Sequence, residues 1–428
     1  MNNIKRFFSA VRKSPDRLIQ VHPHSSSLSI VVGPEDSIFE TKITLDKVDE
    51  YFEKEQFQAA LEYLQESLDQ SEDLEQQLQI KCKQALVYKK LEKYHQALEI
   101  FSSLLHSEAI NNSSSSELSP LTLKIQIIDV QRQLKRYEDG LLLITEEVNS
   151  LTDELNSAAP EVINTLKWRA CLLKDLKRYE EALALLFTIL KTEEGSHGET
   201  GSQPLATKLL IFATYCDLGR MSDAEEMVNQ VLQTQEETLR YDHTEAVKTR
   251  LHLAHFQKRR GDYANALENF ERVFKIRRRR MGPESLETLM VENEIVNVLL
   301  DQCEYPEALE FCEDILNFRK AVGEAHSLML TTEQTMAILL TRIGSYDSAS
   351  KLIAKVCATK IEIFGPQHSE TIGAEQKMAQ VLLESGKVQE AHQVITEVLE
   401  NLGKIPHAKE EQVHVAKQCL AMVLNAMG

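Results

Sequence analysis

A short segment recurs nine times along this chain of 428 residues, at an almost constant interval. Each copy has a polar turn, then an aromatic or apolar residue, then a small residue three positions later. The aromatic-position residues are Phe57, Tyr94, Tyr137, Tyr179, Met221, Tyr263, Tyr305, Tyr346 and Val388. They are separated by 37, 43, 42, 42, 42, 42, 41 and 42 residues. A fixed period of this length indicates a repeat architecture, in which each unit packs mainly on its neighbours.

Each unit is predicted to hold two helices joined by the polar turn. The small residue lets the two helices approach closely where they cross, and the aromatic residue fills the gap between them. In the seventh unit the helices are predicted at about residues 286–300 and 306–318. Ser or Thr is expected to cap the first helices of later units, and proline to begin those of earlier ones. These residues are Thr244, Ser285, Ser327, Ser369, Pro120, Pro160 and Pro204.

The units resemble tetratricopeptide repeats in the 42-residue form found in kinesin light chains. That form has a G-x-x-H-P-like linker between repeats, which FGPQHSET and VGEAHSLM match at His368 and His326. The resemblance implies an all-α fold, a right-handed superhelical α-solenoid of about nine helix-turn-helix units with a C-terminal capping helix. It implies a fold and a broad role, but not that the chain is a kinesin light chain, because residues 1–42 lack a heptad pattern.

Three segments are expected on this basis. Residues 1–42 form an N-terminal extension, partly disordered or with short extended pieces, residues 43–408 form the solenoid, and residues 409–428 form the capping helix. Two polar stretches, at residues 111–116 and 193–203, are predicted to be flexible insertions between repeats. The serine-rich stretch 111–116 is predicted to be exposed enough for phosphorylation. Its composition alone does not show that it is phosphorylated.

Charge and cysteine content favour a cytoplasmic protein. The net charge is −18, and a uniformly acidic chain repels nucleic-acid backbones. The seven cysteines are scattered without a C-x-x-C pair, which indicates reduced thiols. No stretch is apolar enough to span a membrane. A mitochondrial location is the alternative, because the first 17 residues carry five basic side chains against Asp16 alone.

The resemblance places the partner-binding groove on the first helix of each repeat. Groove positions follow from the register with the turn, at i, i+4, i+7 and i+11 of that helix. The predicted binding residues are Lys248, His252, His255, Lys258 and Arg259 in the sixth repeat, Asn164 and Trp168 in the fourth, and Asn293 and Asn297 in the seventh. In the seventh repeat Met290 and Asn297 are at register positions, and Asn293 lies beside the stripe and joins it if the register differs by one residue. Leu209 and Leu210 would add apolar contacts in the fifth repeat.

A basic island lies within the acidic chain. Residues 248–280 carry eleven Lys and Arg against three acidic residues. Such an island attracts an acidic peptide segment of a partner protein. Two interpretations stay open beside it: the run from Arg277 to Arg280 neutralises a helix end and is otherwise solvated, or the island binds RNA.

A protein-binding scaffold or adaptor is therefore the leading hypothesis for function. The rivals are a mitochondrial assembly factor of the same fold, RNA binding, and an enzyme. The chain contains none of the G-x-x-x-x-G-K-[ST], G-x-G-x-x-G, H-E-x-x-H or G-x-S-x-G motifs, so no catalytic or cofactor residue is predicted. His252 and His255 could share a helix face, but they lack a third metal ligand nearby in sequence.

Overall fold

A computed structural model describes residues 45–107, 110, 118–156, 158–317, 326–405 and 410–427. These residues form nineteen α-helices and no strand. In chain order the helices are α1 Leu45–Glu53, α2 Phe57–Gln70, α3 Leu74–Lys90, α4 Tyr94–Leu105, α5 Pro120–Gln133, α6 Tyr137–Glu154, α7 Pro160–Asp175, α8 Tyr179–His197, α9 Ser202–Leu218, α10 Met221–Thr238, α11 Thr244–Arg259, α12 Tyr263–Met281, α13 Leu286–Asp301, α14 Tyr305–Asn317, α15 Ser327–Ile343, α16 Tyr346–Phe364, α17 Ser369–Glu384, α18 Val388–Gly403 and α19 Glu410–Met427.

The helices pack in consecutive order, which confirms the predicted solenoid of helix pairs. Each helix packs against the next one along the chain. First helices of adjacent repeats also touch, as α13 touches α15 and α15 touches α17. The predicted helices of the seventh repeat agree with α13 and α14 to within a residue at each end. The final helix α19 packs against α17 and α18, as a capping helix should.

Every second helix from α2 to α18 begins at the aromatic-position residue of its repeat. The small residue three positions later is fully buried in the eight repeats where it is alanine. In the third repeat Gly140 takes this place, and a Cβ there would lie 3.1 Å from a methyl of Leu172. The predicted close approach of the two helices is therefore present, and it leaves no room for a larger side chain.

The turn between paired helices requires one residue with positive φ. Gly261, Gly344 and Gly386 supply it, as predicted, at φ of 76°, 90° and 78°. Other repeats place a residue with a side chain in the same conformation. These residues are Glu55, Glu92, Lys135, Lys177 and Cys303, with φ between 55° and 63°. A left-handed non-glycine residue is strained, so its surroundings must hold it in place.

The capping prediction is wrong in three of its four Ser/Thr positions. Ser285 is a true N-cap, whose hydroxyl accepts a hydrogen bond of 3.2 Å from the Thr288 N–H. Thr244, Ser327 and Ser369 are instead the first helical residues. The histidine before each is the cap: Nδ1 of His243, His326 and His368 accepts the N–H two residues later, at 3.2–3.3 Å.

One of the two predicted flexible insertions is mostly helical. Helix α8 continues to His197 and α9 begins at Ser202, so only residues 198–201 connect them. The reason is Glu193, which is buried and accepts a hydrogen bond of 2.6 Å from the Thr207 hydroxyl. A polar composition predicted a loop because it could not show that this acid has buried partners. The other insertion, residues 111–116, and the N-terminal extension, residues 1–42, lie outside the described residues.

Candidate partner-binding face

The first helices of successive repeats form one continuous surface, which we call the first-helix wall (α3, α5, α7, α9, α11, α13, α15 and α17). Ion pairs join neighbouring members of this wall. Lys89 lies 2.7 Å from Asp129, and Lys174 lies 3.1 Å from Asp217. Lys258 reaches Glu294 at 3.3 Å in the same way. The first helices are thus held side by side by charges of opposite sign, and this arrangement was not predicted.

The sixth repeat presents most of its predicted residues to solvent. Lys248, His252, His255 and Arg259 are exposed on α11. Lys248 pairs with Glu245 on its own helix at 3.1 Å, a surface contact that leaves its ammonium available. Lys258 is less available, because its ammonium is already paired with Glu294. The predicted register of α11 therefore agrees with the face that the structure exposes.

The two histidines of α11 favour the neutral form. Burial lowers the pKa of His252 below its ordinary value. Burial also lowers the pKa of His255, with Glu294 opposing this effect from 3.8 Å. The His255 ring meets the Phe270 ring edge-on, with centroids 5.1 Å apart. Among the described residues no group of three or more His, Cys, Asp or Glu side chains is arranged to hold a metal ion.

The fourth repeat contributes one exposed and one half-buried residue. Asn164 is exposed near the start of α7. Trp168 is half-buried and packs on a small apolar cluster that includes Ile128, Ile144 and Leu172. The Arg132 guanidinium lies 5.8 Å from the centre of the indole. Trp168 is therefore partly a wedge between two repeats, although one part of its ring stays accessible on the wall.

The seventh repeat separates its two predicted asparagines. Asn297 is half-buried on α13, whereas Asn293 is only 6% exposed. Asn293 faces the next repeat, where its amide oxygen lies 3.4 Å from the Thr332 hydroxyl. It therefore lies in the packing between repeats and off the exposed stripe. Met290 on the same helix was placed at a groove position, and it is 51% exposed.

The basic island divides between two different surfaces. Lys248, Lys258 and Arg259 of α11 lie on the first-helix wall. Arg250 of α11 is buried instead, and together with Arg272, Lys275 and Arg279 of α12 it lines a separate cavity of about 410 Å³. Several arginines of the run 277–280 are used internally. Arg277 donates to the Glu287 carbonyl at 2.8 Å, and Arg280 donates to the Asp242 carbonyl. These contacts fasten the linkers on either side of the sixth repeat, which supports a structural role for the run.

The cations around the α12 cavity also have acidic partners. Arg272 lies 2.6 Å from Glu268, and Lys275 lies 3.9 Å from Glu271. Arg279 donates to the Tyr241 hydroxyl at 3.1 Å. A surface whose positive groups are already balanced attracts a polyanion weakly.

A known protein-family model matches part of the repeat region. The family model described as tetratricopeptide repeat matches residues 204–279 and 245–321, which run from α9 through α14 into the following linker. Residues 204–321 therefore contain tetratricopeptide repeats. The matched residues include the sixth repeat, whose α11 carries five of the predicted binding residues. A search of curated protein sequences finds no match.

Three solved structures share limited similarity with this chain. A candidate kinesin light chain from Podosopora anserina with nearly identical TPR-like repeats is 21% identical, with a TM-score of 0.41, covering 47% of this chain and 95% of its own. BtubC (BKLC) from P. vanneervenii is 16% identical, with a TM-score of 0.46 and coverages of 54% and 92%. The apo form of RapI is 13% identical, with a TM-score of 0.44 and coverages of 82% and 97%. These likenesses concern the fold alone.

Proposed function

We propose that this protein is a scaffold or adaptor that binds a segment of a partner protein along the first-helix wall. Tetratricopeptide repeats are typical of protein-interaction scaffolds, and a binding role fits them better than catalysis. The observation that carries the proposal is the register of the wall. Side chains at equivalent positions of successive first helices lie exposed or half-exposed, so a partner would meet an ordered row of contacts.

The chemistry of the wall changes along its length, which suggests what the partner contains. Half-buried Trp168 and Leu210 offer apolar surface in the fourth and fifth repeats. Exposed Lys248 and Arg259 follow in the sixth repeat. A segment with apolar residues next to acidic ones complements this order, because the apolar part buries surface while the charges fix its direction. Among the described residues no helix is both long and apolar enough to cross a bilayer.

Removal of wall charges tests the proposal. The triple variant K248A, H252A and R259A removes three exposed wall side chains and leaves the Lys258–Glu294 pair intact. The matched control is R272A, K275A and R279A, which removes three cations around the α12 cavity. Quantitative affinity purification should lose partners with the wall variant and keep them with the control. Equal recovery of partners from both variants would count against the wall.

A cytoplasmic location accompanies this proposal. All seven cysteines are free thiols, which a reducing compartment maintains. Imaging of the tagged protein and sequencing of its mature N-terminus test the location. If the cell cleaves off the basic N-terminal segment and the tagged protein is imaged in mitochondria, the mitochondrial alternative is favoured instead.

A further inference from the structure

Two glutamates in the first two repeats reach helices that lie far later in the chain. Glu55 accepts hydrogen bonds from the Ser327 N–H at 2.6 Å and from the Ser327 hydroxyl at 2.7 Å, across 272 residues. Glu92 accepts the same two bonds from Ser369, at 2.7 and 2.6 Å, across 277 residues. Both contacts join a left-handed turn residue to the first residue of a first helix.

The two contacts are copies of one another, one repeat apart. Ser327 and Ser369 begin the first helices α15 and α17, and each follows a capping histidine. His326 lies 3.8 Å from Glu55, and His368 lies 4.0 Å from Glu92. The His368 ring also lies 3.3 Å from the Lys90 carbonyl. An offset of roughly six and a half 42-residue repeats therefore brings the turns of early repeats onto the linkers of late ones.

At the third turn the approach to the late repeats is electrostatic only. Tyr137 begins α6, directly after that turn, and burial raises its pKa, with a further increase from Asp175 and a smaller one from the Glu410 carboxylate. Glu410 begins α19, one step beyond α17. Apolar rings add to the seam between the early and late repeats, where the Phe57 and Phe364 centroids are 6.4 Å apart. Phe364 in turn stacks on His368 at 4.6 Å.

The chemistry of these contacts is strong but local. A helix start leaves N–H groups without partners inside the helix and carries partial positive charge, so a carboxylate is a favourable acceptor there. Each glutamate uses both oxygens, which makes the contact directional. Beside the second contact the seam encloses a cavity of about 650 Å³, so the packing between early and late repeats is incomplete.

We propose that Glu55 and Glu92 form a clasp that closes the row of repeats on itself, and that the row extends when the clasp opens. The clasp also explains why glutamate occupies this turn position, although positive φ is unfavourable for a residue with a side chain. In the third and fourth repeats lysine occupies this position, at Lys135 and Lys177. The turn therefore tolerates lysine, and the glutamates of the first two repeats have a role beyond the turn itself.

Hydrogen exchange of the backbone tests the clasp directly. In the double variant E55K and E92K, the turn keeps a residue that this chain already uses there. Peptides covering the starts of α15 and α17 should exchange about tenfold faster or more, because the Ser327 and Ser369 N–H groups lose charged acceptors. The start of α13 is an internal reference, since its cap Ser285 belongs to its own helix. The radius of gyration from solution scattering should rise in the same variant.

The matched control is K177E. Lys177 holds the same turn conformation in the fourth repeat, so K177E reverses the charge at an equivalent turn that is outside the two contacts described above. This variant should leave exchange at α15 and α17 and the radius of gyration unchanged. Unchanged exchange in E55K and E92K, or an equal effect of K177E, would overturn the clasp.

A second design guards against a general loss of folding. The variant S327D keeps its helix start favourable, because an acidic first residue suits the helix dipole, but it sets two carboxylates against each other at Glu55. Combining S327D with E55K replaces this repulsion with an ion pair. Slow exchange at α15 should be lost in S327D and restored in the combined variant. Failure of E55K to restore it would contradict direct contact between these two residues.

Discussion

The Lys167 ammonium lies 2.8 Å from the Glu193 carboxylate, which is only 3% exposed. The second oxygen of Glu193 accepts the Thr207 hydroxyl at 2.6 Å. Three helices, α7, α8 and α9, therefore meet at one buried acid. This network keeps α8 helical as far as His197 and joins the fourth repeat to the fifth.

Loss of this buried acid should weaken the junction strongly. Glu193→Ala leaves the half-buried Lys167 ammonium without its acidic partner, and such a loss costs about 3–5 kcal/mol of unfolding free energy. Urea unfolding followed by circular dichroism measures the change. The neighbouring variant Glu194→Ala is the control, because its pair with Lys208 at 3.0 Å is more exposed and is worth about 0–1 kcal/mol. If both variants lower the free energy of unfolding by a similar amount, the buried network contributes no more to stability than the more exposed ion pair.

Glu375 on α17 makes the fold sensitive to pH. Burial, with help from Glu397, raises its pKa to about 7, and its Oε2 is buried with no hydrogen-bond partner among the described residues. The folded state therefore holds this proton above the ordinary value of 4.5, so the free energy of unfolding falls as pH rises from about 4.5 to about 7.

Glu375→Gln should abolish the decrease in the free energy of unfolding that the natural protein shows as pH rises. The variant should be more stable than the natural protein at pH 8 and similar to it near pH 4, because both then carry a neutral side chain. Denaturant midpoints measured at several pH values check this. The same substitution at the exposed Glu390 of α18 should leave the profile unchanged. Parallel pH profiles for the natural protein and E375Q would exclude Glu375 as the source.

The buried small residue of each repeat limits how far its side chain can grow. Ala182 on α8 is fully buried where it crosses α7. Ala182→Leu should lower the free energy of unfolding by about 1–3 kcal/mol, because extra methyl groups force neighbouring side chains out of place. Ala184→Leu, at an exposed position of the same helix, should have little effect. Equal midpoints in thermal unfolding for the two variants would refute the close-crossing role.

The histidine caps can be tested away from the clasp. His243 caps α11 through Nδ1, which accepts the Glu245 N–H at 3.3 Å. His243→Ala should destabilise the fold by about 0.5–2 kcal/mol, whereas His243→Asp should restore the loss, since aspartate accepts the same N–H. Differential scanning calorimetry of the two variants gives the order. An alanine variant as stable as the aspartate variant would argue against capping by this ring.

Spacing located the helix pairs, the turns and the exposed side of α11, because these depend on residues close together in sequence. Gly261 and Ala266 illustrate this, since each follows from the local turn and crossing. The histidine caps were missed because Ser and Thr are the usual caps, and His326 and His368 were interpreted only as part of the linker between repeats. The position of Asn293 depended on a shift of one residue in helix register, which spacing cannot resolve.

Contacts between repeats that are far apart in the chain could not be predicted from the sequence. Glu55 and Ser327 are 272 residues apart, and their meeting depends on a small curvature added at every repeat. The same holds for Glu193, whose burial depends on α9 and not on the polar composition around it. The basic island shows the converse limit, because sequence revealed its charge but not that α11 and α12 present it on different surfaces.

The central claim is that partners bind along the first-helix wall, and site-specific photocrosslinking tests it most directly. A photoreactive phenylalanine at Leu210, which is half-buried on α9 of the wall, is compared with one at Phe187, which is 43% exposed on the second helix α8. The proposal predicts partner crosslinks from position 210 and none above background from position 187. Crosslinks from position 187 alone, or equally from both, would contradict it.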